Sequence, residues 1–362
     1  MEKVLHRLKP DILMVCVQIA FAAVTVIYKV AINDGMSMRV ASAYRFAFAS
    51  AFTVPFALIF DRKTRPKITG RALILAFLCG LCGGSLFINL YLEALALTSA
   101  SFMAAMINLN PAITFILAIS FGFEKLNLKD AEGRAKVIGT IIGISGAMVM
   151  TFFKGVEINI WTSKKNLMHI PHQNQNGHVA SHHADLRSKL LGILCAILSS
   201  SSFSLWYIIQ AKMIAEYPSP RSSTALMTTM ATIQATAFTL FVERDWNQWS
   251  LGFDIRLLTV LYSGIVVSGI AVVVLAWCIK ERGPLFVSVF NPLQLVLVDI
   301  VAYITLDEKL YLGSVVGAVM IVSGLYTVLW GNSQELEKKS DVALGNTRRE
   351  ESENVERLYA SP

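Results

Sequence analysis

Residues 101–126 read SFMAAMINLNPAITFILAISFGFEKL, and residues 285–310 read LFVSVFNPLQLVLVDIVAYITLDEKL. Each piece runs through small residues with Met or Val to an Asn with Pro close by, then a long apolar run, then Glu-Lys-Leu. Asn108 and Asn291 stand 183 residues apart, and Glu124 and Glu308 stand 184 apart. The echo extends outward. Gly80 matches Gly264 at 184, and Gly139 and Gly146 match Gly317 and Gly324 at 178, the first copy carrying extra residues from Asn127 to Arg134. Such a chain is built from two copies of one unit.

The composition says where that unit lives. Of 362 residues 54% are hydrophobic and 16% charged, with a mean hydropathy of +0.55, whereas soluble domains carry about 25% charged residues. Runs of about 20 apolar residues cross a bilayer as helices. Ten are readable: 11–32, 39–60, 72–92, 100–123, 137–153, 190–210, 224–242, 257–279, 285–306 and 311–330. Lys3, Arg7 and Lys9 before Ala20-Phe21-Ala22 imitate a secretory signal, but the apolar stretch continues to Ile32 and reads as a span. The five cysteines (16, 79, 82, 195 and 278) all fall inside apolar runs and read as packing residues.

Loop charge sets the orientation. With the N-terminus inside, the inner loops hold 16 Lys and Arg and the C-terminal tail five more, against nine outside; Lys29 and Arg45 fall within spans. The excess follows the positive-inside rule, so both termini are expected in the cytoplasm. The net charge of +7 therefore concerns topology, and nothing supports a nucleic-acid partner. Residues 1–10 form the inner N-terminus, 11–153 the first five-helix repeat, 154–189 an outer linker, 190–331 the second repeat, and 332–362 a disordered inner tail.

A unit of five helices crosses the membrane an odd number of times, so its second copy enters from the opposite side. The expected fold is an all-α membrane protein of ten transmembrane helices in two inverted repeats. That architecture is a signature of secondary transporters, with the substrate site near the midplane between the halves.

The order and spacing of Tyr44-Arg45, Thr98-Ser99-Ala100, Asn108 with Pro111, Glu124-Lys125, Arg282-Gly283-Pro284, Asn291-Pro292 and Gly313 to Gly317 resemble the EamA type of the drug/metabolite transporter superfamily. The likeness covers about residues 11–331 and lies with its plant nodulin-like branch, the walls-are-thin-related or "usually multiple acids move in and out" transporters. The resemblance implies transport of amino acids, or in some members auxin. It implies the plasma membrane or the vacuolar membrane, and the plasma membrane is preferred.

Polar groups inside lipid are costly and need a partner or a task. Arg45 lies six residues into its span, about 9 Å deep at 1.5 Å per residue, and Asp299 lies at a similar depth in the ninth span. A mutual ion pair or a shared zwitterionic ligand would offset both. Lys29, nearer the edge, snorkels. A second group comprises Gln18, Asn89, Asn108, Asn110, Gln210, Gln234 and Asn291. Pro111 deprives the Ile107 carbonyl of its helical donor. Freed carbonyls beside amides suit an α-amino acid, while interhelical hydrogen bonding is the bland alternative and is preferred for Gln234. Trp206 and Tyr207 line the cavity or anchor a membrane edge. Pairs at GxxxG spacing, Gly80/Gly84, Gly139/Gly143 and Gly313/Gly317, let helices approach closely.

Five of the six histidines (169, 172, 178, 182 and 183) sit in the linker. The stretch is polar and irregular, so it reads as a solvated linker and no metal or other cofactor is expected. A phosphate-binding loop ending in Gly-Lys-Ser/Thr is absent, as is a catalytic set inside the spans, which excludes self-powered pumping and argues against an enzyme. A channel lacks its filter or charged ring. Only Asp299, with Glu93 at the end of the third span, could carry a proton inside the membrane, which favours a facilitator.

Overall fold

The structure is a computed structural model, which describes residues 2–62, 66–98, 100–124, 130–153, 155–156, 182–305 and 311–360. Glu308 and most of the His-rich linker lie outside them. With no water in the bilayer core to satisfy backbone groups, apolar runs become helices. The helices are α1 (Glu2–Asn33), α2 (Met38–Phe60), α3 (Gly70–Gly80), α4 (Leu86–Leu97), α5 (Ala100–Asn108), α6 (Asn110–Ser120), α7 (Ala131–Phe152), α8 (His182–Glu216), α9 (Pro220–Val242), α10 (Ile255–Leu261), α11 (Val272–Ser288), α12 (Asn291–Thr305) and α13 (Leu312–Ala360). Short π-helical pieces, Leu81–Ser85 and Tyr262–Ala271, join α3 to α4 and α10 to α11.

Among the described residues nine helical stretches are long and apolar enough to cross a membrane, and Asn291–Val301 is a shorter apolar one. Large apolar side chains face outward, Ile59 at 70% and Phe241 at 84% exposure. That is the pattern of a lipid-facing surface, since soluble proteins rarely expose contiguous apolar patches beyond a few hundred Å².

The packing is reciprocal between the halves. α2 packs on α9 and α7 on α13; α3 packs on α9 as the second π piece packs on α2; α1 packs on α12 as α8 packs on α6. Exchanging each span for its counterpart returns the same set, as a two-fold relation requires. The glycines make it quantitative. A Cβ on Gly139 would meet the Gly324 oxygen at 2.7 Å, and one on Gly146 would meet the Gly317 oxygen at 2.8 Å. Each glycine thus touches the mate of the other, on antiparallel helices. The seam runs at a spacing of seven residues, and the Gly139/Gly143 pair belongs to it through its backbone. A Cβ on Gly324 would lie 2.6 Å from the Gly139 oxygen and 2.5 Å from the Gly143 nitrogen, although a Cβ on Gly143 itself meets nothing within 4 Å. Lipid supplies no hydrophobic drive between helices, so this backbone approach is what holds α7 to α13.

Three expectations shift. The fourth span is two helices, α5 and α6, broken at Leu109, with Pro111 in the first turn of α6, where its fixed φ and missing N–H do no harm. α12 likewise starts at Asn291-Pro292. The true mates are therefore Asn110-Pro111 and Asn291-Pro292, 181 apart, instead of Asn108 and Asn291. α8 begins at His182, inside the expected linker. The backbone of α13 is helical through to Ala360, where a disordered tail from residue 332 is expected from composition. Its start beyond the span is pinned to α7: Lys136 Nζ bonds Glu335 and lies 2.9 Å from Glu124, and Lys338 lies 2.6 Å from Glu132. This gives the Glu of the first Glu-Lys-Leu phrase a structural partner.

Candidate functional site

α8 is the hub of the interior. Its serines hold four neighbouring segments by their backbone carbonyls: Ser199 donates to Phe87 (3.2 Å), Ser200 to Met106 (3.0 Å), Ser202 to Cys82 (3.0 Å) and Ser204 to Asn110 (3.2 Å). The Cys82 carbonyl belongs to the first π-helical piece, where the helical ladder is interrupted. The next turn of α8 carries Trp206 and Tyr207, 4% and 0% exposed, with Phe203 5.3 and 5.2 Å from their rings. Burial removes the membrane-edge reading for both aromatics. Gly83 makes room for the indole, since a Cβ there would lie 2.6 Å from it.

Around this stack lies a set of amides with polar atoms sealed from solvent. Tyr207 Oη donates to Asn291 Oδ1 at 3.0 Å, which joins α8 to α12. Asn110, at the start of α6, is tied to α8 through Ser204. Gln210 follows Trp206 by one turn on α8. Gln18 is buried on α1, beside Val17, which belongs to the same apolar cluster as Trp206 and Tyr207. Both side-chain polar atoms of Gln18, Asn110 and Gln210 are buried without a hydrogen-bond partner, as are Asn291 Nδ2 and Trp206 Nε1. An unsatisfied buried polar group costs about 1–3 kcal/mol. Such a concentration of unmet donors and acceptors along the boundary between the halves is what a polar ligand would satisfy.

The other predicted residues are elsewhere. Arg45 Nε donates to Ser268 in the second π piece at 2.5 Å, with its guanidinium 5.7 Å from the Phe46 ring. Asp299 accepts from Ser314 of α13 at 3.0 Å. The expected Arg45–Asp299 pair is thus corrected: equal depth placed them on helices that do not present them to one another. Asn89 spends its amide on the Ser85 carbonyl one turn back, at 2.7 Å. Asn108 is buried at 4% exposure at the end of α5. Pro111 and Pro292 together line a cavity of about 10 Å³ with Thr140 and Ile321, room for about one water. Gln234 donates to the Phe77 carbonyl at 3.0 Å, an interhelical bond. Among the described residues no group of three or more His, Cys, Asp or Glu is placed to hold a metal ion.

The serines of α8 and Ser268 are interior hydrogen-bonding positions that sequence reasoning passed over. The run Ser199-Ser200-Ser201-Ser202 was the available signal, because four hydroxyls in an apolar span need acceptors.

Comparison with known proteins agrees with this architecture. The model of the EamA-like transporter family matches residues 8–152 and 190–330, one match per half. Two WAT1-related proteins of Arabidopsis thaliana are 43% identical over 92% of this chain and 92% of theirs, and 41% identical over 94% and 95%. A solved structure described as a crystal structure of protein aligns with a TM-score of 0.62 at 16% identity, covering 86% of this chain and 97% of that one; it bears on the fold alone.

Proposed function

The chain belongs to the EamA-like transporter family, alongside the WAT1-related proteins of plants, and we propose that it is a secondary carrier of amino acids working by alternating access between two inverted five-helix halves. Membership makes it a multi-pass membrane protein that transports small molecules. In this reading α12 is the tenth crossing, both termini lie in the cytoplasm, and the chain works at the plasma membrane.

The observation that carries the proposal is the set of unmet amide atoms on Gln18, Asn110 and Gln210, with Asn291 Nδ2. Amides offer donors and acceptors in equal number, which suits a zwitterion whose carboxylate seeks N–H groups and whose ammonium seeks carbonyls. The sealed position of these groups supports a cycle in which the site opens to one side at a time. Arg45 adds a cation whose described partners are a hydroxyl and a ring. An intramembrane charge so placed is a functional-site candidate by default, here for a carboxylate on its path. The aromatic stack of Phe203, Trp206 and Tyr207 favours a second reading, an aromatic carboxylate such as auxin.

Counterflow in proteoliposomes tests the proposal. Preloaded unlabelled amino acid is expected to drive uptake of its radiolabelled form in both directions without a pH gradient. A strict requirement for a proton gradient would remove the facilitator part, and non-saturating flux without counterflow would remove the carrier. Arg45→Met is expected to lower the flux of carboxylate-bearing solutes at least about tenfold, the factor given by 1.4 kcal/mol. Asp299→Asn, held by Ser314 away from the amides, is expected to lower it less. Equal flux in Arg45→Met and the wild type would take Arg45 off the path.

A further inference from the structure

α2 and α9 run antiparallel, and each ends on a carboxylate that reaches the cap of the other. Asp61 follows the last residue of α2 and is 2% exposed. It accepts from the hydroxyl of Ser219, the N-cap of α9, and from the hydroxyl and backbone N–H of Ser222 at 2.7 and 3.2 Å. Arg221 Nε lies 3.2 Å from its other oxygen. At the opposite end Glu243 follows the last residue of α9 and accepts at 3.0 Å from the hydroxyl of Ser37, the N-cap of α2. Ser37 and Ser219 are 182 residues apart, as are Asp61 and Glu243. The two clasps are therefore mates under the two-fold relation.

Their carboxylates are not equally served: among the described residues Asp61 gathers four donors and Glu243 one. At the Glu243 end the Ser37 N–H goes instead to Gln248 Oε1 at 3.2 Å, and the Thr239 hydroxyl donates to the Arg39 carbonyl at 3.2 Å. Arg39, the mate of Arg221 at the same 182 offset, keeps its Nε buried and without a partner. Between the clasps, at mid-length, Gly80 presses on Ala231 and Gly264 on Ala49: their Cβ atoms would lie 2.8 and 3.3 Å from those backbone nitrogens. Ala49 and Ala231 are again 182 apart. Those glycines stand on α3 and the second π piece and back the two helices, while α2 and α9 meet each other at mid-length through the hydroxyl pairs Thr53–Thr228 and Ser50–Thr229 at 2.8 and 3.2 Å. Two stiff helices joined at that point exchange closeness at one end for closeness at the other.

We propose that the two serine–carboxylate clasps are the alternating latches of the transport cycle, the Asp61 latch shut in this structure and the Glu243 latch completed by Arg39 when it opens. This rests on the carrier reading. Asp61, Glu243, Ser37, Ser219, Ser222, Arg221 and Arg39 are then positioning residues, which never meet the solute but set the side to which its site opens. Burial alone would raise the Asp61 carboxyl, but the serine donors and Arg221 outweigh it and hold it below the ordinary carboxylate value. The latch is thus ionised at neutral pH.

Thiol labelling tests this without a substrate. In a chain with its five native cysteines replaced, Ala57→Cys and Thr239→Cys report on the two ends. Both positions are buried, 5% and 2% exposed, each one turn inside its latch and 182 apart. Asp61→Asn is expected to speed modification by a hydrophilic maleimide at Ala57→Cys about tenfold, as a loss of 1.4 kcal/mol gives, and to slow it at Thr239→Cys. Glu243→Gln is expected to move both rates the opposite way by less. Ser222→Ala, a gentler change, is expected to follow Asp61→Asn at smaller amplitude. Faster labelling at both reporters, or at neither, would overturn the proposal. Failure of the carrier reading would instead appear as absent counterflow with the opposed labelling intact.

Discussion

Gly324→Leu is expected to cost the protein its fold. A Cβ at Gly324 would lie 2.5 Å from the Gly143 nitrogen and 2.6 Å from the Gly139 oxygen. Both are backbone atoms, so no side chain can turn aside. The helices must separate, and in lipid their association rests on that close approach. Overpacking costs typically 1–3 kcal/mol, and a clash against backbone belongs at about 3 kcal/mol or more. The measurement is thermal unfolding of the purified protein in detergent together with its elution profile, where loss of the monodisperse peak is expected. Gly143→Ala is the control, because its Cβ points into open space, and an unchanged profile is expected there. Alanine is the better helix former, so equal loss in both would mean that these helices reject any added bulk and that the loss does not report the seam.

Much of this architecture was readable before any coordinates. The duplicated phrase led to two copies of one helical unit, and the 178-residue match of Gly139 and Gly146 with Gly317 and Gly324 named residues of the seam. The GxxxG spacing of Gly139 and Gly143 serves the same seam, since the Gly139 oxygen and the Gly143 nitrogen both face Gly324. A second repeat was present and overlooked. Ser37-x-Arg39 with Asp61-Arg62 recurs as Ser219-x-Arg221 with Glu243-Arg244, but these polar positions flank the spans, where a comparison of hydropathy does not look.

Other features were out of reach for physical reasons. Counting residues along a helix fixes depth and leaves direction around the axis open, so Arg45 and Asp299 looked like partners when Ser268 and Ser314 hold them. The two π-helical pieces turn every later side chain by a fraction of a turn, and only the glycine-rich stretch around Gly80 to Gly84 hinted at one. Asn110 and Asn108 were told apart only when the helix break at Leu109 showed which asparagine begins a new helix. Amide side chains in apolar spans were the most informative signal for the site. Of these, Gln18, Asn110, Gln210 and Asn291 carry unmet atoms beside the aromatic stack; Asn89 donates to the Ser85 carbonyl, and Gln234 donates to the Phe77 carbonyl while its Oε1 stays unmet.

That division makes the sharpest prediction about the site. Gln210→Leu and Asn110→Leu replace a buried amide with an apolar group of similar size. If those amides exist to hold the fold, each change removes hydrogen bonds and lowers stability. Their polar atoms have no partner in the fold, so each Leu instead relieves a burial cost of about 1–3 kcal/mol, and unfolding temperatures at or above that of the wild type are expected. Tyr207→Phe is the contrast: it leaves Asn291 Oδ1 without its donor, so a fall of about 1–3 kcal/mol is expected. Transport is expected to separate from stability. Counterflow of a radiolabelled neutral amino acid should drop at least about tenfold in each Leu variant, equivalent to 1.4 kcal/mol of lost solute binding, with half-saturation rising more than maximal rate. A variant that is both more stable and inactive marks a group kept for the solute. Should Gln210→Leu transport like the wild type, or unfold more easily than it, α8 would be a scaffold alone and the solute would have to be sought at Arg45.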